Sequence, residues 1–295
     1  MDKEHLDATG TDAAVVAADG TDGWPPGAPY DRVVSTYAVD QVPWARVEQT
    51  QPGGRIVTPW GRLGHVALTV ADDHRSAVGW MQGLATFMPA RGTPPASSWS
   101  HVRGTGPADD ERPFARDLHP LKDDAHLLFA LRIHLPDVQI STGMDDDGVN
   151  VWLHDGVASW ATLTTLPDGK AVAYQGGPRR LANELEPAWD WWLTEGQPTL
   201  YDFGMTVEPQ RQYVWCRDAA TGPRWPLQGH DRAVARWPPA LVPSHTAEGI
   251  LASRGLGQWR AVRRWPGPQA APVASVIWNM RLWCDASGVR LTMVT

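Results

Sequence analysis

The sequence predicts an α/β protein: a mostly parallel sheet in the first third, an α+β unit after it, and an irregular C-terminal stretch. Three observations predict this. Short apolar runs alternate with a helical segment in the first ninety or so residues, β-type runs separated by Asp-Gly dipeptides follow, and prolines break every period from Asp218 onward. Residues 13–17 are a continuous apolar run suited to a buried parallel strand, ended by Asp19-Gly20. Residues 32–36 are a second such run. Residues 43–50 predict a short helix with Pro43 in its first turn, stopped by Gln51-Pro52-Gly53-Gly54, and residues 55–59 predict a third strand. Residues 66–70 and 83–87 predict an antiparallel hairpin at the edge of that sheet.

Gly, Pro, Ser and charge then mix without period, which predicts a linker over residues 96–117 between domains at 1–95 and 118–217. In the second domain, residues 127–135, 138–142, 149–154, 157–163 and 171–174 are β-type runs punctuated by Asp147-Gly148, Asp155-Gly156 and Asp168-Gly169. They predict an antiparallel meander. Leu181, Leu185, Ala188 and Trp192 then recur at helical spacing within residues 178–195, Gly196 supplies a stop, and Pro187 predicts a kink or an early end. Residues 201–207 and 212–215 return to strand. Residues 218–295 predict a basic, Trp- and Pro-rich tail without regular structure.

Composition excludes several classes. The chain has 295 residues, 42% hydrophobic, and 26 basic against 33 acidic residues for a formal charge of −7, so a bulk electrostatic grip on nucleic acid or an anionic membrane is not favoured. From Cys216 to the end stand ten arginines and four acids, a basic tail on an acidic body. Arginine interleaved with tryptophan there resembles a stacking platform for nucleic acid, without any known module to carry it. A tail translated out of its ancestral frame is a further reading of the same composition. Two cysteines, Cys216 and Cys284, make no disulfide framework and no paired zinc spacing. With a charged N-terminus and no apolar stretch of spanning length, a soluble, cytoplasmic protein is expected.

Familiar catalytic motifs are missing. The sequence holds no His-Glu-x-x-His, no phosphate-cradling Gly-x-x-x-x-Gly-Lys and no Gly-x-Ser-x-Gly. Met144-Asp145-Asp146-Asp147-Gly148 lacks the alternating acids and the later Glu of a calcium loop, so a hairpin turn is the expectation. His119, His126, His134 and His154 are scattered, and no metal ligand or catalytic residue is nominated.

One stretch is specific. Asp19-Gly20-Thr21-Asp22-Gly23-Trp24, then Gly27-Ala28-Pro29-Tyr30-Asp31-Arg32-Val33-Val34-Ser35-Thr36-Tyr37-Ala38-Val39, Val42-Pro43, Glu48-Gln49 and Pro52-Gly53-Gly54-Arg55-Ile56-Val57-Thr58-Pro59-Trp60-Gly61 resembles the protein-L-isoaspartate O-methyltransferase family, over roughly residues 15–89. The resemblance implies part of a Rossmann-like, S-adenosylmethionine-dependent methyltransferase sheet, whose substrate is an isoaspartyl or aspartyl carboxylate of a protein or peptide. It places Asp19, Gly20 and Thr21 beside the cofactor's adenine, and Ser35 and Thr36 between cofactor and substrate. Tyr37, Ala38 and Val39, with Pro59, Trp60 and Gly61 at the next strand end, would then face the substrate. All of these follow the carboxyl ends of strands, where open α/β sheets bind ligands. An ionised carboxylate is already a nucleophile, so this chemistry needs alignment and water exclusion more than a general base.

In the family, a glycine-rich turn and an acid on the first two strands carry the cofactor. Neither is found here; Gly104-x-Gly106 and Gly255-x-Gly257 follow no predicted strand. The resemblance therefore implies that Met1 begins inside the helix between the family's second and third strands, leaving strand 13–17 without a neighbour and the next strand with a bare edge. A misplaced start, a degraded or split gene, or a complementing chain would each account for this. The second domain resembles the extension on actinobacterial members of the family and could recognise a peptide or simply pack on the sheet. A non-catalytic peptide-binding or partner protein derived from the enzyme is the alternative reading.

Overall fold

In a computed structural model, the described residues are 13–61, 63–90, 97–227, 282–285 and 288–294. The first strands are β1 (Ala13–Val16), β2 (Tyr30–Val34) and β3 (Thr50–Trp60), with α1 (Trp44–Glu48) between the last two. The helix begins directly after Pro43, whose fixed φ suits that position. β4 (Gly64–Val70) and β5 (Ala77–Leu84) add the antiparallel hairpin. Its second arm comes earlier than the expected 83–87, because Ala77 and Met81 are the buried positions there.

The described part of the expected linker over 96–117, residues 97–117, is structured. It holds α2 (Trp99–Arg103), capped by the Ser98 hydroxyl accepting from His101 N, and β6 (Asp110–Phe114), which pairs with β10 (Ala171–Gly176). Residues 127–134 are helical, and the expected strand over 127–135 is not formed. A short helix, α3 (His119–Asp123), leads into α4 (Ala125–His134), and the Asp124 carboxylate accepts from the backbone N–H of His126 and Leu127 at 2.8 and 3.1 Å. Leu127, Ala130, Leu131 and Ile133 are buried, and a run apolar on nearly every side cannot be told from a buried strand by period alone.

The meander is present: β7 (Gln139–Met144), β8 (Val149–His154) and β9 (Trp160–Thr165) join β10 and β6 in a five-stranded antiparallel sheet. Its first turn is the expected hairpin, with Asp145 Oδ1 accepting from Asp147 N and Gly148 N. α5 (Leu181–Thr194) runs through Pro187 without ending there, held by its buried face of Leu181, Leu185, Ala188, Trp189 and Trp192.

The strands after α5 do not complete the second unit. β11 (Phe203–Val207) pairs with β5, and β12 (Gln212–Cys216) and β13 (Arg224–Leu227) follow, so the first sheet continues across the expected boundary. β11 pairs with β5 on one side and β12 on the other, and every one of its residues is buried. α4 and α5 lie between the two sheets: Phe129 of α4 meets Trp60 and Phe203 of the large sheet, while α5 packs on β8, β9 and β10. Each fully buried side chain of this size contributes about 2–3 kcal/mol, so the sheets share one core.

The tail is not wholly irregular either. Besides β13, it holds β14 (Leu282–Asp285) and β15 (Gly288–Val294), and these two strands stand between β1 and β2. β15 runs parallel to β1, with Ala13 opposite Leu291, and β14 runs antiparallel to β2, with Leu282 opposite Val34. The expected lone strand and bare edge are therefore both paired. Residues 228–281, with Gly255 and Gly257 and most of the tail tryptophans, lie outside the described residues.

Candidate functional site

β14 opposes both β15 and β2, and β15 runs with β1, so β1, β2 and β3 all point one way. Their carboxyl ends share one edge of the sheet. β2 and β3 are adjacent there, whereas β1 lies three strand spacings from β2, on the order of 14 Å.

The segment after β2 and the end of β3 are knitted together. Ser35 N donates to Val57 O at 2.8 Å, Val39 N to Pro59 O at 3.2 Å, and Gly61 N to Val39 O at 2.9 Å. The Ser35 hydroxyl, buried, donates to Tyr37 O at 3.2 Å. Gly61 takes a φ of +58°, the left-handed region that favours glycine, and so turns the chain out of β3. Ala38 N donates to Met88 O at 2.8 Å and closes the edge from the far side.

Tyr37 is buried, and its hydroxyl accepts from Arg46 of α1. Arg46 itself is 1% exposed; its Nη1 donates to Thr58 Oγ1 at 2.8 Å and its guanidinium lies 5.2 Å from the Tyr37 ring centre. A buried guanidinium thus underlies the edge formed by residues 35–39. Sequence reasoning missed Arg46, since nothing in the spacing of a five-residue helix separates a buried arginine from a solvated one. Trp60, expected at the substrate, is buried: its indole donates to Asp40 O at 2.9 Å and its ring meets Phe129 edge-on at 6.3 Å. Pro59 is also buried.

The turn after β1 has its own framework. Asp19 Oδ1 accepts from Thr21 N at 2.8 Å and Asp19 O from Asp22 N at 3.2 Å, with Gly20 buried between exposed neighbours. Further along, Trp24 N donates to Gln49 Oε1, and Gln49 Nε2 to Asp22 O, both at 2.7 Å. The structure therefore brings Ser35, Thr36, Tyr37, Ala38 and Val39 together with Pro59, Trp60 and Gly61, and sets Asp19, Gly20 and Thr21 across the β14–β15 hairpin from them.

Concavities among the described residues also lie elsewhere. A groove of about 640 Å³ runs past Leu84, Asp117, His119, Asp123 and His126, where the His119 backbone N–H holds the Asp117 carboxyl below its usual range. A cavity of about 420 Å³ opens on the five-stranded sheet beside Arg103 and Glu111. His126 Nδ1 accepts from Leu200 N at 3.0 Å, His134 sits between Trp191 and Trp225, and His154 is buried beside Trp99. Among the described residues no His, Cys, Asp or Glu group is placed to hold a metal ion, and no helix is long and apolar enough to cross a membrane.

Comparison with known proteins adds a family. Residues 2–90 match the family model "Protein-L-isoaspartate(D-aspartate) O-methyltransferase (PCMT)". Protein-L-isoaspartate O-methyltransferase of Halorhodospira halophila is 48% identical over 54 residues, 18% of this chain and 24% of that protein. The Methanopyrus kandleri enzyme of the same name is 44% identical over 61 residues, 20% of this chain and 27% of that one. The chain thus spans about a quarter of the length of these relatives. A solved protein-L-isoaspartate O-methyltransferase aligns at 19% identity and a TM-score of 0.36, over 73% of this chain and 63% of its own.

Proposed function

From the match of residues 2–90 to the protein-L-isoaspartate O-methyltransferase family model, we propose that the chain provides the substrate-side edge of a carboxyl O-methyltransferase. Its methyl acceptor is an isoaspartyl or aspartyl carboxylate of a protein or peptide, and its methyl donor is S-adenosylmethionine. One observation carries the reading: β1, β2 and β3 end on one edge, with the family's Asp-Gly turn and its Ser35–Val39 segment at two of those ends.

The residues present fit the donor only in part. Asp19-Gly20 offers a carboxylate and a buried backbone step for a flat ring, but the strand beside β2 is β14, which runs antiparallel and brings no glycine-rich turn to this edge. The described residues alone do not complete a donor site. For the acceptor, Ser35, Tyr37 and the buried Arg46 fix the backbone of residues 35–39, so a carboxylate laid along it would meet a rigid edge.

The test supplies the full chain with methyl-labelled S-adenosylmethionine and a hexapeptide bearing one isoaspartyl residue. Base-labile methyl ester on the peptide above a protein-free control is the expected result. Absence of ester, with no heat in a calorimetric titration of S-adenosylmethionine, overturns the proposal. That outcome favours the second reading, a non-catalytic peptide-binding protein derived from the enzyme, which the position of β14 and β15 between β1 and β2 supports.

A further inference from the structure

The five-stranded sheet has one face in the core and one face turned away from it. Ile140, Val151, Leu153, Ala161, Leu163, Ala171 and Ala173 are buried on the core face. Strand pairing sets a row across the other: Ser141 opposite Trp152, Trp152 opposite Thr162, Thr162 opposite Tyr174, and Tyr174 opposite Glu111. An outer face of aromatic, hydroxyl and carboxylate groups is more than solubility needs.

α2 and the loop after it wall off part of this face. Trp99 packs edge-on against Trp160 at 5.9 Å, and the Arg103 guanidinium stacks 3.9 Å over the Trp160 ring. Arg103 Nη1 also donates to Gly106 O at 2.6 Å, so stack and hydrogen bond together fix the guanidinium plane. Between helix and sheet lies the cavity of about 420 Å³, lined by Arg103, Glu111, Trp160, Thr162 and Tyr174. That is within the range of small-ligand sites and holds roughly two amino-acid residues.

Several polar atoms of the cavity are left over among the described residues. Among the described residues, Arg103 Nε and Nη2, the Glu111 carboxylate and the hydroxyls of Thr162 and Tyr174 have no hydrogen-bond or ion-pair partner. A preoriented guanidinium with free donors suits a carboxylate, and a carboxylate nearby suits an ammonium or amide N–H. The indole and phenol supply an apolar wall for the carbon chain between them.

We propose that this cavity binds a carboxylate-bearing peptide or amino acid, with the carboxylate on Arg103, an N–H donor on Glu111 and the carbon chain against Trp160 and Tyr174. The choice of a peptide carboxylate rests on the proposed function; the charge arrangement does not. The cavity would hold the acceptor chain outside the residues that match the family model.

The full chain is titrated into a fluorescein-labelled capped hexapeptide with one isoaspartyl and one lysyl residue and followed by anisotropy, and free L-aspartate is titrated by calorimetry. Saturable binding of either probe is expected, weakened roughly tenfold in Arg103→Gln and in Glu111→Gln, with far-UV circular dichroism unchanged. Binding by the hexapeptide alone assigns a peptide, and binding by aspartate assigns an amino acid. No saturation with either probe, or affinity unchanged from the native chain in both variants, overturns the proposal. Glu111 is exposed and its replacement isosteric, so that variant decides even if Arg103→Gln misfolds. Binding without methyl transfer removes the proposed function and leaves this site; methyl transfer with binding unchanged in both variants does the reverse.

Discussion

Arg46, buried to 1% exposure, donates through Nη1 to the hydroxyl of Thr58 at 2.8 Å, and so ties α1 to the end of β3. Thr58 is fully buried as well. Removing one partner of a buried charged hydrogen bond strands the other. Thr58→Val should cost about 2 kcal/mol, and Arg46→Ala, which also loses the Tyr37 contact and opens a cavity, about 3–5 kcal/mol. Urea unfolding of the two variants and of the double variant measures this. A double variant much less destabilised than the sum of the singles shows the coupling; strict additivity shows that the pair is not a unit.

Gly79 stands where β5 is flanked by β4 and β11, and a Cβ there would lie 1.9 Å from the carbonyl oxygen of Ala67. No side-chain adjustment relieves a clash with backbone. Gly79→Ala should therefore part β4 from β5 and prevent soluble expression, or lower stability by more than about 3 kcal/mol. Gly53→Ala is the contrast: its φ is +74° but a Cβ meets nothing within 4 Å, so only backbone strain, about 1 kcal/mol, is expected. Thermal unfolding distinguishes the two, and equal effects would show that β5 is not packed as described.

How much of this was legible in the sequence depended on the kind of signal. The runs at β1, β2, β3 and β4, and the Asp-Gly turns of the meander, rest on local chemistry and fall within a few residues of their expected places. Leu127 to Leu135 is apolar on nearly all sides and so reads equally as a strand, and the Asp124 cap just before it is the cue that marks a helix. The joining of β5 to β11 was invisible, since it pairs Gly204 with Trp80 across more than a hundred residues. That residues 35–39 follow one strand and 59–61 end the next was legible, whereas the burial of Trp60 and Arg46 follows from tertiary packing alone.

His134 lies between Trp191 and Trp225, with ring centres 4.5 and 4.8 Å away, and its buried Nε2 has no hydrogen-bond partner. Burial lowers its pKa from 6.5 to about 4. The folded-state value lies below the unfolded one, so between pH 6.5 and 4 the unfolded chain binds more protons and stability falls as the pH falls. The ring is partly exposed, which reduces the penalty to on the order of 2 kcal/mol at the acid end. Denaturant midpoints across that range should drop for the native chain and drop less for His134→Phe. Parallel curves would mean that His134 is solvated.

Among the described residues, the antiparallel pair of β14 and β15 alone pairs β1 and covers the outer side of β2. Tyr30 and Val33 of β2 are each only 2% exposed, so an uncovered β2 would present an apolar edge able to pair with another chain. A chain ending at Leu227 should therefore unfold at lower temperature and elute as oligomers or aggregates in size-exclusion chromatography, while the full chain does not. Adding a synthetic peptide of residues 282–295 to the shortened chain should restore part of the lost stability, since the slot between two parallel strands is still there to be filled. A shortened chain that is monomeric and melts with the native one would show that these strands are dispensable to the sheet.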